Sequence, residues 1–430
     1  MSMSKDFEKR LYALLPEIIE FFGTPFHIYD EMGIIRTGEE LKKFFSGVLG
    51  FQEFFAVKAN SNQEILKIMK RLGFGFDCSS EPELFLVREY AGAMANKIMF
   101  SSNNTIHEEF EAASRNGGCI LNLDDIALVP KVPIFPELIC FRYNPGKRRV
   151  GNSIIGNPVE AKYGVRHDQI VKAYCLAIER GAKRFGLHTM ICSNQLDYRY
   201  MVETVKALLE IITMVSDKLN IKFEFINIGG GIGIPYKLDD KPFNISAFVK
   251  ETKKLLDQFK KKNNYAPNFF IESGRYMTGP HGVLVAKVIN ILKKYKKFIG
   301  VDASCVSSIM RPAIYYPEGG YHNISVFGKF KEEKEDSEIV NIIGSACENN
   351  DQFGRDRKLP KIYEGDFIVV HDTGAHCYAM ASNYNGRLRP QELMLRSDGS
   401  VDMIRRAETR ADYFRTTIDF FEKSIIKKGG

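Results

Sequence analysis

Residues 54–60 read FFAVKAN and put one lysine, Lys58, at the end of a short apolar run. Desolvation disfavours an ammonium ion, so a lysine among apolar groups is expected to have a lowered pKa. A neutral amine attacks an aldehyde and forms a Schiff base. Taken singly, the same residue reads as a strand-end lysine with its stem on apolar surface and its charge in water. Several other segments carry groups that could work beside such an amine. FDCSS brings Asp77 and Ser80, and His188 is followed five residues on by Ser193. Gly229, Gly230 and Gly231 are adjacent, which lets backbone N–H groups cradle a phosphate or makes a tight turn. Position 234 is Ile and no Lys-Ser/Thr follows, so neither a dinucleotide fingerprint nor a P-loop is satisfied. Glu272 and Arg275 are three apart. A carboxylate facing a ring nitrogen keeps it protonated, and an arginine clamps a carboxylate bidentately; alone, the two also read as a surface ion pair. Cys347 and Glu348 open CENND, and Arg311 and Tyr315 bracket RPAIY. A cysteine whose pKa is near the working pH can act as a general acid, although most free cysteines are simply buried.

These groups need a scaffold that brings them to one rim. FFAVK is followed by Ser61 and Glu64, FGFDC by Ser80 and Glu83, and KIMFS by Thr105 and Glu108. Each has capping-box spacing, so the region reads as repeated strand–cap–helix units and a parallel sheet. Eight strands are expected near 54–58, 74–78, 97–101, 118–122, 138–142, 184–188, 223–228 and 268–271. Val202, Val205, Leu209 and Ile212 mark a helix stripe between them. The spacing predicts an α/β (β/α)8 TIM-type barrel, in which functional residues follow the strands. A doubly wound open sheet competes, but its Gly-rich turn after the first strand is missing. After Gly279, HGVLVAKVINI, NISVFG, SEIVNIIG, DFIVVHD and CYAMAS predict a second, mostly β domain. TPFHIYD (24–30) is a further strand for that domain, and KFKEEKEDSE an exposed hairpin tip. The expected division is a barrel domain at 36–283 and a β-rich domain from 1–35 and 284–430.

Composition narrows the function classes. The 430 residues carry a net charge of +7, but the lysines are dispersed. The runs at 260–262 and 293–297 lack the aromatic interleaving of a nucleic-acid surface, so no nucleic-acid partner is expected. The eight cysteines form no CxxC pair, and there is no HExxH. Reduced thiols in a cytoplasmic enzyme, with no metal, are the expectation. MSMSKDFEKRLYALLPEIIEFF reads as an amphipathic helix rather than a secretory signal. No uncharged run approaches the ~18 apolar residues of a membrane span.

The ordered set FFAVKAN, FDCSSEPEL, INIGGGIG, ESGR, DASCVSSIMRPAIY, CENND and DTGAHCYAMASNYNGRLRP resembles the barrel-type (fold type III) PLP-dependent decarboxylases. Within them it is most similar to the diaminopimelate decarboxylases. The resemblance covers about 26–390 and implies pyridoxal 5'-phosphate (PLP) as cofactor and a homodimer. It implies that Lys58 is the Schiff-base lysine and that Asp77 orients it or the cofactor. Ser193 and the backbone of Gly229 to Gly231 would hold the phosphate, and Glu272 would face the pyridine nitrogen. Arg275, Arg311 and Tyr315 would bind the substrate's distal carboxylate, with Glu348 near its distal amine. Cys347, reaching across the dimer, would return a proton to the substrate carbon after carbon dioxide leaves. The chain also departs from the family pattern. HxHIGS becomes His188-Thr189-Met190-Ile191-Cys192-Ser193, so Met190 takes the position of the histidine that stacks on the cofactor, leaving His188 at the rim. EPGR becomes ESGR, with Ser273, and GAY becomes GAH, with His376 where a tyrosine near the phosphate is usual. The reaction implied is decarboxylation of meso-2,6-diaminopimelate to L-lysine. Alternatives are decarboxylation of ornithine, arginine or carboxynorspermidine, or racemisation on a related barrel.

Overall fold

The eight apolar runs become the eight strands of a closed parallel barrel. The structure, a computed structural model, describes residues 3–152, 154–309, 321–329 and 337–417. In chain order the elements begin with α1 (Lys5–Phe22), β1 (Phe26–Asp30) and α2 (Glu31–Phe45). Barrel strands follow: β2 (Gln52–Ala56), β3 (Gly75–Cys78), β4 (Ile98–Phe100), β5 (Ile120–Leu123) and β6 (Leu138–Asn144). A short ribbon, β7 (Val165–Arg166), lies beside β6; β8 (Arg184–His188), β9 (Phe223–Asn227) and β10 (Asn268–Ile271) complete the barrel. Closure is made where Phe270 pairs with Gln52 and Ile271 with Glu53. Phe54, Met99, Ile120, Cys140 and Phe225 fill the interior, with Phe270 stacked on Phe225 at 4.5 Å between ring centroids. That plug makes the barrel a packed core with chemistry possible only at its mouth.

Helices α3 (Gln63–Arg71), α4 (Glu81–Glu89), α5 (His107–Ser114), α6 (Ile170–Glu179), α7 (Tyr198–Leu219) and α8 (Ile245–Asn263) surround the strands. The expected caps are displaced. α3 is capped by Asn62, whose side chain accepts from the Glu64 N–H, not by Ser61. Ser80 stands at the start of α4 but makes no side-chain cap bond; Glu83 accepts from the Ser79 N–H instead. α5 starts after Ile106, whose N–H donates to Glu109. On α7 the buried face runs through Met201, Val205, Leu208 and Ile212, and Val202 lies at its edge.

The remaining strands build a second, mixed sheet. They are β11 (Gly282–Lys293), β12 (Lys297–Val301), β13 (Ile324–Val326), β14 (Ser337–Ile343), β15 (Gln352–Pro360), β16 (Phe367–Val370), β17 (Gln391–Leu395) and β18 (Val401–Arg405). Their order is β15-β14-β12-β11-β1-β17-β18, with β16 bridging β11 and β13. The N-terminal run 24–30 therefore does join this sheet, as β1, between β11 and β17. CYAMAS forms a 3-10 turn at Tyr378–Met380 rather than a strand. Most of KFKEEKEDSE lies outside the described residues. α1 lays Phe7, Leu11, Leu15 and Ile18 on a sheet face made by Phe26, Ile28, Val283, Val285, Val369 and Leu393. Among the described residues no helix is long and apolar enough to cross a membrane. All eight cysteines are free, and no three His, Cys, Asp or Glu of the described residues are placed to hold a metal ion.

Candidate active site

The C-terminal ends of the barrel strands surround a cavity of about 450 Å³. Lys58, Asp77, Arg142, His188, Met190, Ser193, Gly230, Gly231, Glu272, Arg275 and His376 line it. Lys58 stands on a short 3-10 turn, Val57–Ala59, that ends β2. Its side chain is half exposed, into the cavity. Nζ donates to Asp77 Oδ2 at 3.2 Å. The expectation of a lowered lysine pKa is therefore wrong. The Asp77 charge, aided by Glu272, raises it and outweighs the desolvation that would lower it.

Glu272 follows β10 and is buried. Oε1 accepts from Asn227 Nδ2 at 2.8 Å and Oε2 lies 3.2 Å from His188 Nε2. Burial pushes this carboxyl up, but His188, Lys58 and Asn227 together hold it below its usual range. His188 is thus not at the rim; it is 1% exposed, beneath the mouth, and its Nδ1 has no hydrogen-bond partner among the described residues. Asp77 Oδ1 is likewise buried without a hydrogen-bond partner among them. Both unpaired atoms belong to residues that line the cavity.

The glycine turn after β9 is shaped by contact as well as by backbone angle. Gly229 (φ +69°) turns its N–H back onto Asn227 Oδ1 at 2.8 Å and does not line the cavity. A Cβ at Gly230 would sit 2.5 Å from the Glu272 carbonyl oxygen, and one at Gly231 would sit 2.8 Å from Cys192 Sγ. Met190 packs over this turn, its Sδ 3.0 Å from where a Gly229 Cβ would stand. Ser193 and Arg275 meet beside it, with Arg275 Nη2 donating to Ser193 Oγ at 3.4 Å. Arg275 Nη1 donates to Tyr236 Oη at 2.5 Å. His376 enters from the second sheet's loops at φ +59°, its backbone N–H on the Ala59 carbonyl at 2.8 Å.

Not every expected residue converges here. Cys347 is exposed and Glu348 lies beside it, on a loop whose Cys347 N–H donates to Asn385 Oδ1 at 2.6 Å. Neither lines the cavity of its own chain. Arg311 and Tyr315 lie outside the described residues. Two residues escape the sequence reading. Arg142, from β6, lines the cavity with its guanidinium 3.6 Å from the Tyr163 ring centroid and in no ion pair among the described residues. A buried guanidinium of that kind suits an anionic oxygen. Glu53 is wholly buried next to the Glu272 turn. An arginine at the end of an apolar strand was the only available signal for the first; the second had none.

Comparison with known proteins agrees with this geometry. Residues 33–279 match the family model described as pyridoxal-dependent decarboxylase, pyridoxal binding domain. Protein TabA of Pseudomonas amygdali pv. tabaci is 40% identical over 413 residues, covering 96% of each chain. The diaminopimelate decarboxylase of Methanothermobacter thermautotrophicus is 34% identical, over 93% of this chain and 92% of that one. Among solved structures, diaminopimelate decarboxylase from M. jannaschii in complex with L-lysine superposes with a TM-score of 0.86 at 28% identity, over 94% of both chains.

Proposed function

This chain belongs to the pyridoxal-dependent decarboxylases, and from that premise we propose that it decarboxylates meso-2,6-diaminopimelate to L-lysine. The supporting observation is the match, over nearly the whole chain, to a diaminopimelate decarboxylase structure with L-lysine bound.

The residues at the barrel mouth fit the cofactor. Two buried polar atoms of the cavity lining, Asp77 Oδ1 and His188 Nδ1, are unpaired among the described residues, and the Gly230 and Gly231 turn has no room for a Cβ. When bound, PLP supplies an aldehyde and a ring that takes up the electron pair left as carbon dioxide departs. Lys58 would attach to the aldehyde, and Asp77 would hold its ammonium until then. Glu272, kept charged by His188 and Asn227, would face the ring nitrogen. Ser193, Gly230 and Gly231 would hold the phosphate, with Gly229 setting the turn, Met190 against the ring and His376 closing the rim. Arg275, Arg311 and Tyr315 would take the distal carboxylate of the substrate, and Glu348 its distal amine. Cys347 would return a proton to the substrate carbon.

Cys347 lies on an exposed loop away from its own cavity, which supports a homodimer with sites completed by the partner. Eight free thiols fit a cytoplasmic setting. The two sheets suit a division at 36–283 for the PLP-binding unit, with 1–35 and 284–430 as the second.

A second reading keeps the chemistry and changes the substrate to another basic amino acid. The substitutions Met190, Cys192, Ser273 and His376 at positions of family residues, together with an identity to Protein TabA higher than to the diaminopimelate decarboxylases named above, keep the substrate open to it. Carbon dioxide release from the PLP-loaded protein, compared across diaminopimelate, ornithine, arginine and lysine, separates the two. Release from diaminopimelate with lysine as product supports the first; release only from another amino acid replaces it with the second.

A further inference from the structure

Glu53 occupies a place where a carboxyl is costly. It lies on β2, wholly buried, and its Cα pairs with Ile271 at the seam where the first and last barrel strands meet. Oε1 accepts from the Ser273 N–H at 2.7 Å, while Oε2 has no hydrogen-bond partner among the described residues. Burial, with Glu272 and Asp77 nearby, pushes its pKa well up.

Its partner decides what it does. Ser273 stands between Glu272 and Arg275, on the turn that carries both. β10 stops at Ile271, so beyond it the ladder with β2 supplies no further strand pairing. The Glu53 side chain continues that link by one bond. The same turn presses on the turn of Lys58: a Cβ at Gly274 would sit 2.5 Å from Ala59 Cβ and 3.3 Å from Ala56 Cβ.

We propose that Glu53 is a positioning residue for the PLP site, its carboxyl locking the Glu272–Arg275 turn to the strand that carries Lys58. The spacing between the amine and the ring-facing carboxylate then depends on this buried hydrogen bond together with that of the Glu272 N–H to the Gly229 carbonyl. This rests on the roles of Lys58 and Glu272 given above. It also explains why serine serves at 273: a proline there has no N–H to give, and would leave both Glu53 oxygens unpaired.

PLP binding and its absorption spectrum test this on the whole protein, with melting of the cofactor-free form as control. Glu53→Val leaves the Ser273 N–H buried and unpaired, and is expected to weaken PLP binding about tenfold and shift the spectrum. Glu53→Gln keeps an acceptor and should bind within about threefold of the parent. Ser273→Pro should weaken binding like Glu53→Val, whereas Ser273→Ala, which keeps the N–H, should not. Glu53→Val combined with Ser273→Pro removes both halves of the bond and should recover most of the loss. Unchanged PLP affinity and spectrum in Glu53→Val or in Ser273→Pro overturns the proposal. So does a double variant no better than the singles, or a fall in PLP affinity fully accounted for by a lower melting temperature. Borohydride trapping of PLP on the parent protein tests the underlying reading separately, since label away from Lys58 sinks that reading whatever Glu53 does.

Discussion

Lys58 carries its proton in the free protein because Asp77 holds it there. Its raised pKa is a stabilising contribution present below the ordinary lysine value and lost as pH rises through the folded one. The same charge delays attachment to an aldehyde, which needs the neutral amine. Asp77→Asn removes the largest raising influence and leaves desolvation, which lowers. The pH midpoint for PLP attachment, followed by absorbance, should therefore move down in that variant. A midpoint that stays put or rises would mean Asp77 does not govern the amine. Glu272 is tuned the opposite way, held charged by His188. His188→Leu should raise its pKa and weaken PLP binding most at acid pH, measured by titrating affinity from pH 8 downward; a loss uniform in pH would argue against the His188 influence.

At the scale of elements, the turns between strands and helices carry the site, and their tolerance is set by backbone contact. Gly230→Ala must push the Glu272 carbonyl from 2.5 Å, an overpacking cost of about 1–3 kcal/mol. PLP affinity should fall at least tenfold, and calorimetric titration would show it; normal affinity would mean the turn is softer than its contacts suggest. β1 has a different sensitivity. His27, buried between Thr373 and the Ser308 carbonyl, has its pKa lowered to about 4 by burial. The folded state thus binds fewer protons than the unfolded one between pH 6.5 and 4, and stability falls as pH drops through that window. The loss is roughly 3 kcal/mol by pH 4. Urea unfolding at pH 7 and pH 4.5 should show a smaller difference in His27→Gln than in the parent.

The elements that sequence reveals and those it hides differ for physical reasons. Parallel barrel strands are buried on both faces and read as continuous apolar runs, so all eight were legible. β12, β15 and β18 carry charged, half-exposed residues, as in Lys297, Arg355 and Asp402, and look like loops. The cap of α3 slipped by one residue because Ser and Asn are alike as N-caps, and that of α5 slipped to Ile106, whose N–H the Glu109 side chain satisfies without a capping side chain. That Lys58, Asp77, Glu272 and the glycine turn gather at one cavity was legible because each lies at or just past a strand end. Glu53 and His188 were not placed correctly, because their partners come from other strands and only closure of the barrel brings them near.

For the whole molecule, the question is where Cys347 acts. If the partner's cavity is its place, a Lys58→Ala protomer and a Cys347→Ala protomer are defective in different sites. Mixed after dissociation, half the dimers would be hybrids, each with one complete site, giving about a quarter of parental activity. Each variant alone should be nearly inactive. No recovery on mixing, with hybrids confirmed by mass spectrometry, would place Cys347 in its own chain's site, and a Cys347→Ala protein that is active alone would place it outside the reaction.

The position of β1 between β11 and β17 has a consequence in time. Phe26 pairs with Val285 on one side and Gln391 on the other. On the ribosome, at roughly 5–20 residues per second, the first strand waits about 20–70 seconds for its last neighbour to emerge. The barrel strands can close during that interval. The apolar face of α1 and β1, left uncovered while they do, makes the early chain a client for holding factors, and deleting β17 should trap the nascent protein there with its barrel already formed.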